Sequence, residues 1–313
     1  MRRGAFIGYL SIYVVSASLN YFFVKFGLRY ATPLSYMAIR YLLAGIALAI
    51  ISSIMNGGKY YFVFNRDLLL LSLFSSLSTA LWAYGLVLVD PGSSAVFGYT
   101  MPLFAIPLSM VLIHEKPRTL NVVGALIGFV GVSIYGISSI MEGVSLVGAI
   151  LTVVNAVFWA LYSIYFRKLG NYDGLIVVSN MFILGAVLLA LMDLIINGFA
   201  GMLHVVWTIA FIENLLGTSV IGGAVLFLVW YLMVNTIGVS NATPYIFTVP
   251  ALTMALNYLI LGIKPTPPGA CGFRSHVLGN LPSLDIGFRS VESSFLHLFF
   301  SPPSVFILHW GSA

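Results

Sequence analysis

Charged residues are scarce in this sequence: Asp, Glu, Lys and Arg together make up 7% of its 313 residues. A soluble domain carries roughly 25% of such residues, and without them a water-exposed surface of this size cannot be made. Hydrophobic residues reach 60%. The composition therefore excludes an ordinary soluble domain and predicts that lipid surrounds most of the chain.

Cysteine and the short motifs of common enzyme sites are also rare or absent. The one cysteine, Cys271, excludes an intrachain disulfide and a cysteine-based metal site. The sequence contains no Gly-rich phosphate-binding loop, no Gly-x-Ser-x-Gly and no His-Glu-x-x-His. The net charge of +5 comes from scattered residues, so nucleic acid is not an expected partner. We therefore expect no enzymatic activity, no metal and no cofactor.

Long apolar runs, separated by short polar turns, make up most of the sequence. A membrane-spanning helix needs about 20 mostly apolar residues, and turn formers such as those in Asp90–Gly92 stand where such helices should end. The runs of this length cover residues 6–24, 33–55, 68–89, 93–113, 120–140, 145–166, 175–197, 207–233 and 242–262. The first run follows Arg2 and Arg3 and also resembles a signal peptide, but the repeat described next favours a retained span.

The two halves of the sequence resemble each other at fixed offsets. An offset of 143 places Phe23, Lys25 and Gly27 on Phe166, Lys168 and Gly170, and an offset of 148 places Trp82, Thr100, Pro102, Lys116 and Pro117 on Trp230, Thr248, Pro250, Lys264 and Pro265. Each copy holds five helices, and because five is odd the second copy enters the membrane from the opposite side. We predict an all-α integral membrane protein of two inverted five-helix repeats, residues 1–140 and 145–267, with ten transmembrane helices.

The distribution of Lys and Arg predicts a cytoplasmic N-terminus. In that orientation the cytoplasm receives eight basic residues and the outer side receives Lys25, Arg29 and Lys264. An excess of Lys and Arg on the cytoplasmic side is the rule for membrane proteins. We expect a multi-pass protein of the cell membrane.

Residues 268–313 do not fit the repeat. They should begin with a tenth helix, yet Pro268–His276 is too rich in helix breakers and polar groups for lipid. We interpret the segment as the product of a reading-frame shift at about residues 266–268, because a shifted frame allows an apolar helix there; a divergent tail is the alternative. Gene sequencing that gives one unbroken frame would refute the shift, and we assign no function to this segment.

The arrangement of these landmarks resembles the EamA-type permeases of the drug/metabolite transporter superfamily. The residues that carry the resemblance are Lys25 at the end of the first helix, Pro33 and Arg40 in the second, Pro102 in the fourth, His114–Pro117 after it, Gly124, Gly128 and Gly131 in the fifth, and Lys168, Pro250, Lys264 and Pro265 in the second copy. The resemblance covers about residues 4–265. The acidic residue that ends the fourth helix is Glu115, and its second-copy counterpart is Ile263, which departs from the family pattern. The resemblance implies ten helices, alternating access and export of amino acids, metabolites or drugs.

Charged groups inside a lipid span are costly, so each is a candidate for function. Arg40 lies about two turns into the second span, where it would bind a substrate carboxylate or pair with a helix end; the alternative is that its long side chain extends to the outer interface. Asp193 and Glu213 lie near span ends and are expected at the interface. Glu115 with Lys116 is expected to serve membrane topology and helix capping, and a proton relay is the alternative.

Uncharged side chains near the middle of the spans form the second group of candidates. They are Trp82 and Tyr84 of the third span, Tyr99 of the fourth, Asn155, Trp159 and Tyr162 of the sixth, Asn180 of the seventh, Trp230 and Tyr231 of the eighth, and Tyr245 and Asn257 of the ninth. Aromatic walls with a few amide groups suit an amphipathic or aromatic solute, and plain packing is the alternative for each residue. Pro102 and Pro250 occupy equivalent positions and are candidates for hinges or static kinks, because a proline inside a helix frees a carbonyl.

The sequence thus predicts a secondary carrier that exports a small organic solute across the bilayer by alternating access. Coupling to protons or to a counter-solute, and a homodimer, are compatible with it. The alternatives are a membrane channel and a non-transporting membrane scaffold or enzyme. Saturable exchange would count against a channel, and a structure without a polar cavity would favour a scaffold.

Overall fold

The computed structural model describes residues 3–263, and this part of the chain is helical without a β-strand. Nine of its helices are long and apolar enough to span a membrane. They are α1 (Arg3–Gly27), α2 (Pro33–Met55), α3 (Arg66–Leu88), α4 (Pro91–Ile113), α5 (Thr119–Met141), α6 (Leu146–Lys168), α7 (Gly174–Met202), α8 (Ile209–Ile237) and α9 (Val239–Leu261). Each coincides with one predicted run, which confirms the all-α membrane fold. The predicted tenth helix, Lys264, Pro265 and the segment 268–313 lie outside the described residues.

Side chains at the helix starts explain why the helices begin where they do. Thr32 accepts a hydrogen bond from the backbone N–H of Ser35, and Pro33 follows as the first residue of α2. Asp90 accepts a bond from the N–H of Ser93 at the start of α4. Such caps satisfy N–H groups that have no partner within the helix. The polar residues that separate the apolar runs therefore serve the helices directly.

The helices of the two halves of the chain are interleaved. The most extensive contacts join α2 to α7 and α3 to α6, and further contacts join α1 to α8 and α4 to α9. Small residues allow the close crossing of α3 and α6, since a Cβ on Gly85 would lie 2.6 Å from the hydroxyl oxygen of Thr152. Close approach at small residues is how helices associate where lipid provides no hydrophobic drive.

Three helices are interrupted near their middles. In α4 the α-helical segments Pro91–Gly98 and Met101–Ile113 are separated at Tyr99 and Thr100. In α8 a π-helical stretch covers Val220–Val225. In α9 a 3₁₀ stretch, Thr243–Phe247, precedes the final segment. Interrupted backbone is tolerated at membrane depth where it is buried in protein or lines a cavity.

Candidate functional site

A cavity of about 70 Å³ lies inside the bundle. Its walls come from α1, α2, α3 and α4 in the first half of the chain and from α6 and α8 in the second half. Tyr99, at the break in α4, and Leu226, directly after the π-helical stretch of α8, both line it. The cavity is therefore shared by both halves and adjoins two of the three interrupted helices.

Aromatic rings form most of the cavity wall. The pairs Tyr21–Trp82 and Tyr99–Trp159 meet edge to face, with centroid distances of 5.2 Å and 5.1 Å. Such offset and edge contacts are favourable and directional, so these rings support one another. The aromatic residues of the wall are Tyr13, Tyr21, Trp82, Tyr99, Trp159, Tyr162, Phe227 and Trp230.

Arg40 is the charged residue of the wall, and it is buried at 1% exposure. Its Nη2 donates to the carbonyl oxygen of Gly222 at 2.7 Å, and its Nε donates to that of Thr218 at 3.3 Å. Both carbonyls belong to α8, where the π-helical stretch begins just after Thr218. The Cζ of Arg40 also lies 5.8 Å from the ring centroid of Trp82. Arg40 thus bonds backbone carbonyls at the irregular turn inside α8 and not at a helix end, and binding of a substrate carboxylate stays a prediction. The alternative of an Arg40 side chain at the outer interface is wrong because the guanidinium is enclosed by protein.

The amide groups of the wall are oriented by hydroxyl donors. The Ser78 hydroxyl donates to Oδ1 of Asn155 at 2.6 Å. The Thr218 hydroxyl donates to Oδ1 of Asn20 at 2.7 Å. These bonds fix the orientation of the two amide oxygens, each of which has a second lone pair.

Two indole N–H groups of the wall have no acceptor. The Nε1 atoms of Trp82 and Trp159 are buried without a hydrogen-bond partner among the described residues, whereas Nε1 of Trp230 donates to the Ser163 hydroxyl at 2.9 Å. A buried donor without a partner is destabilising. These two N–H groups are therefore free donors in the cavity wall.

The structure brings together most of the predicted binding candidates. Seven of the twelve line the cavity, namely Arg40, Trp82, Tyr99, Asn155, Trp159, Tyr162 and Trp230. Tyr84 instead packs against the hydrophobic core from a partly buried position. Tyr245 meets Phe6 with a centroid distance of 4.9 Å, away from this cavity.

Three further polar candidates serve the protein framework. Asn180 accepts the N–H of Val63 at 2.7 Å and so holds the loop before α3. The Tyr231 hydroxyl donates to backbone carbonyls after α6. Asn257 donates to Asp90 at 2.7 Å. All three lie outside the cavity wall.

The first helix contributes residues that the sequence did not single out. Tyr13, Ala17, Asn20 and Tyr21 line the cavity. Their spacing of four, three and one places them on one face of α1, and that periodicity was the available signal. Ser78 and Thr79 of α3 are additional wall residues that carried no distinctive pattern.

Pro102 and Pro250 lie at matching irregularities. Pro102 follows the break in α4, and Pro250 follows the 3₁₀ stretch of α9. The hydroxyl of Thr100 donates to the carbonyl of Phe97 at 2.8 Å, and that of Thr248 donates to Tyr245 at 3.2 Å. Both prolines therefore stand next to a rearranged helical turn, and a hinge motion there stays a prediction.

A charged cluster, here called the Glu115 end, joins the end of α4 to the start of α9. The Glu115 carboxylate accepts bonds from the N–H groups of Val239 and Ser240, both at 3.0 Å, and from the Ser240 hydroxyl at 2.8 Å. Arg167 Nε lies 3.9 Å from Glu115 Oε1, and its Nη1 donates to the carbonyl of Asn235 at 2.6 Å. The expected capping role of Glu115 is confirmed.

A second cluster, here called the Lys25 end, joins the end of α3 to the start of α4. Lys25 Nζ donates to the carbonyls of Leu86 and Val89 at 2.7 Å and 2.9 Å. Asp90 caps α4 and also accepts the bond from Asn257 of α9. Because α4 runs from Asp90 to Glu115, the two clusters lie at opposite ends of the bundle.

The remaining acidic candidates differ from each other. Glu213 is exposed, as expected for an interfacial residue. Asp193 is fully buried and accepts bonds from Thr32, Ser35 and Asn197, because it helps to cap the start of α2. Its carboxylate is thus enclosed by protein beside the start of α2, and its expected place at the interface stays a prediction. Within residues 3–263, no group of three His, Cys, Asp or Glu side chains is placed to hold a metal ion.

The chain is similar over most of its length to a transporter family and to proteins named as uncharacterized transporters. The model of the "EamA-like transporter family" matches residues 5–137 and 146–281. An "Uncharacterized transporter in sor 3'region" of Acidianus ambivalens is 41% identical over 226 residues, 72% of this chain and 83% of that protein. The "Uncharacterized transporter YvbV" of Bacillus subtilis (strain 168) is 26% identical over 260 residues, 80% of this chain and 82% of that protein.

A solved crystal structure supports the fold alone. It aligns with a TM-score of 0.68 at 17% identity and covers 93% of this chain and 99% of its own. With the nine apolar helices of the described residues, these similarities lead to one conclusion: the chain is a multi-pass membrane protein and a transporter that belongs to the EamA-like transporter family.

Proposed function

We propose that the protein is a secondary carrier that exports a small organic solute from the cell by alternating access. The observation that carries the proposal is the buried cavity, whose wall is built by both halves of the chain and combines aromatic rings with a few polar groups. A solute held there would contact both halves at once. Movement of one half against the other would then open the cavity to one side of the membrane at a time.

Several features support an inverted pair of five-helix repeats as the moving parts. A two-fold relation between the repeats would exchange α1 with α6, α2 with α7, α3 with α8, and α4 with α9. It would convert the contact of α1 with α8 into the contact of α6 with α3. The contacts of α2 with α7 and of α4 with α9 would be preserved. These are the pairings that the bundle contains. The family model also matches the chain in two stretches, and Pro102 and Pro250 follow helical irregularities at the offset of 148. Transporter folds of this kind bind solutes between their repeats.

The proposed carrier resides in the cell membrane with its N-terminus in the cytoplasm. The basic residues support this orientation through the positive-inside rule. Since the sequence carries no phosphate-binding loop for a nucleotide, a gradient of protons or of a counter-solute is the proposed energy source.

Metabolite efflux from cells that express the chain tests the proposal. A variant that fills the cavity, Ala17→Phe, is compared with Ile46→Phe, which adds the same ring on an exposed position of α2. We expect a defined solute to accumulate outside cells that express the wild type or Ile46→Phe, and not outside cells that express Ala17→Phe. Equal efflux by both variants, or no change in any solute despite membrane insertion, would refute the proposed carrier. Efflux that does not saturate would favour a channel.

A further inference from the structure

Arg40 is a buried cation without an anionic partner in the described part of the chain. Within residues 3–263 the ion pair between Arg167 and Glu115 is found, and no carboxylate lies within 4.0 Å of the Arg40 guanidinium. Taking a charge out of water is costly unless an opposite charge or several good hydrogen bonds compensate it. The two carbonyls of α8 provide partial compensation only, because they carry partial charges.

The hydrogen-bonding capacity of the Arg40 guanidinium is not exhausted. It has five N–H donors. Three bonds are formed in the structure, to Gly222, Thr218 and the sulfur of Met37, at 2.7, 3.3 and 3.4 Å. The last of these acceptors is a weak one. Two N–H groups therefore remain for an acceptor in the cavity that Arg40 lines.

The indole of Trp82 is a second hydrogen-bond donor near Arg40 that lacks an acceptor among residues 3–263. Trp82 has its ring 5.8 Å from the Arg40 Cζ and its Nε1 without a partner. The amide oxygens of Asn20 and Asn155 each accept one hydroxyl bond. A ligand that accepts hydrogen bonds and carries negative charge complements both Arg40 and this indole.

The cavity is small. Its volume of about 70 Å³ is about half that of an engineered apolar cavity of roughly 150 Å³ that binds benzene. A carboxylate group with a short carbon chain is a ligand of matching small size. Its two oxygens match the fork of an arginine, which binds carboxylates in a bidentate manner, and the aromatic rings would enclose its apolar part.

We propose that the cavity binds a short-chain monocarboxylate through Arg40, with the Trp82 indole N–H as a second donor. This assignment rests on the proposed function, whose substrate class it specifies. It also gives the bound anion a position between α2 and α8, since Arg40 of α2 now bonds α8 directly.

The test uses the purified full chain in detergent and matched pairs of ligands. Acetate, propionate and butyrate are each compared with acetamide, propionamide and butyramide, which keep the shape and lack the charge. Binding is measured as saturable thermal stabilisation, since a ligand specific for the folded state raises its melting temperature. Sodium chloride keeps the ionic strength of the amide samples equal to that of the carboxylate samples. We expect at least one carboxylate to bind at least tenfold more tightly than its amide, because hydrogen bonds to charged groups are the stronger ones.

Variants locate the binding site. Arg40→Gln should abolish the preference for carboxylate over amide, and Trp82→Phe, which keeps an aromatic ring but removes the N–H, should weaken carboxylate binding severalfold. Trp207→Phe is the matched control, because Trp207 is exposed in the loop just before α8 and does not line the cavity. If Trp82→Phe binds the carboxylate as tightly as the wild type does, the Trp82 indole is not part of the binding site.

Two outcomes overturn the proposal without any variant. One is that no carboxylate stabilises the wild type more than its amide. The other is equal stabilisation by sodium chloride alone, which would assign the site to an inorganic anion. Because binding is measured without transport, the two proposals can fail separately. Carboxylate binding without efflux of any solute would refute the proposed carrier. Efflux of a neutral solute without carboxylate binding would refute the carboxylate assignment.

Discussion

The Lys25 end and the Glu115 end both provide hydrogen-bond partners for the unpaired backbone groups of helix ends, but with different residues. At each end a basic side chain donates to the final carbonyls of a neighbouring helix, and a carboxylate accepts N–H groups at the start of the next helix. The two ends differ in whether the basic side chain or the carboxylate makes more hydrogen bonds. Lys25 makes three bonds to the end of α3, whereas Arg167 makes one to the end of α8.

The carboxylates show the opposite order. Asp90 caps its own helix through one N–H and reaches the second half of the chain through one amide bond from Asn257. Glu115 belongs to the first half and accepts all three of its bonds from the second half. The two ends lie roughly 35 Å apart along α4, from its 1.5 Å rise per residue. The tie between the halves is therefore stronger at the Glu115 end. Under the proposed alternating access, opening the bundle at this end would cost more than opening it at the Lys25 end.

The largest effect should come from removing the Glu115 carboxylate. We expect Glu115→Ala to lower the free energy of unfolding by about 3 kcal/mol, because three bonds to a mostly buried charge are lost and two backbone N–H groups are left without partners. The loss should appear as a lower melting temperature of the purified protein in detergent, together with reduced solute efflux.

Glu142→Ala is the matched control for Glu115→Ala. Glu142 is exposed and accepts one bond of 3.3 Å from Ser138 of its own helix. Its removal should change stability by less than about 0.5 kcal/mol, as is usual for surface positions. Similar melting temperatures for the two variants would contradict the importance given to the Glu115 end.

Lys25 should show the second largest effect. We expect Lys25→Met to cost about 2 kcal/mol, because the last carbonyls of α3 lose a charged donor in a partly buried site. Arg29→Met is the control, since Arg29 is exposed and lies over the ring of Phe26 at 5.1 Å. The measurement is again the melting temperature, and an Arg29→Met loss as large as that of Lys25→Met would show that the bonds to α3 are not what stabilises this end.

Much of the fold was predictable because the apolar runs alone decide which segments span the membrane. Pro102 and Pro250 marked the irregular turns of α4 and α9. In contrast, two backbone irregularities had no signal in the sequence, namely the positive φ of Gly198 and the π-helical stretch at Val220–Val225. Hydrophobicity therefore placed the end of α7 at residue 197, before the irregular turn that continues to Met202. Apolar length predicts that a helix exists and says little about where its axis bends.

The candidate site was predictable where the residue type was distinctive. It was less predictable where the rotation of a helix about its axis determines which side chains face the cavity. Trp82 lines the cavity, but Tyr84 lies two residues further on, about 200° around the helix axis, and faces elsewhere. Asn180 resembled a site residue until the loop before α3 supplied its partner. Tertiary contacts determine these outcomes, and no local pattern in the sequence contains them.

The register of the internal repeat is a third limit on prediction from the sequence, as Arg167 and Lys168 show. The offset of 143 pairs Lys25 with Lys168. In the structure Arg167 donates to the end of the neighbouring helix, and Lys168 Nζ instead lies 4.5 Å from the ring centroid of Tyr165. One residue corresponds to about 100° of rotation, so a shift of one position selects a different side chain for the same task.

The smallest effect should come from Arg167, and it decides what kind of tie the Glu115 end is. Arg167 is 42% exposed, and its nitrogen lies 3.9 Å from the Glu115 carboxylate. Exposed ion pairs contribute about 0–1 kcal/mol and weaken with salt, so Arg167→Met should lower the free energy of unfolding by less than about 1 kcal/mol.

A double-mutant cycle with Glu115→Gln sharpens the comparison, because it separates the ion pair from the backbone bonds. We expect a coupling energy of at most about 0.5 kcal/mol at 0.15 M salt, and less at 1 M. A coupling above about 2 kcal/mol would mean that Glu115 serves mainly as the partner of Arg167. In that case the two ends would both depend on their basic residues, and the stronger tie assigned to the Glu115 end would be an ionic one that salt could loosen.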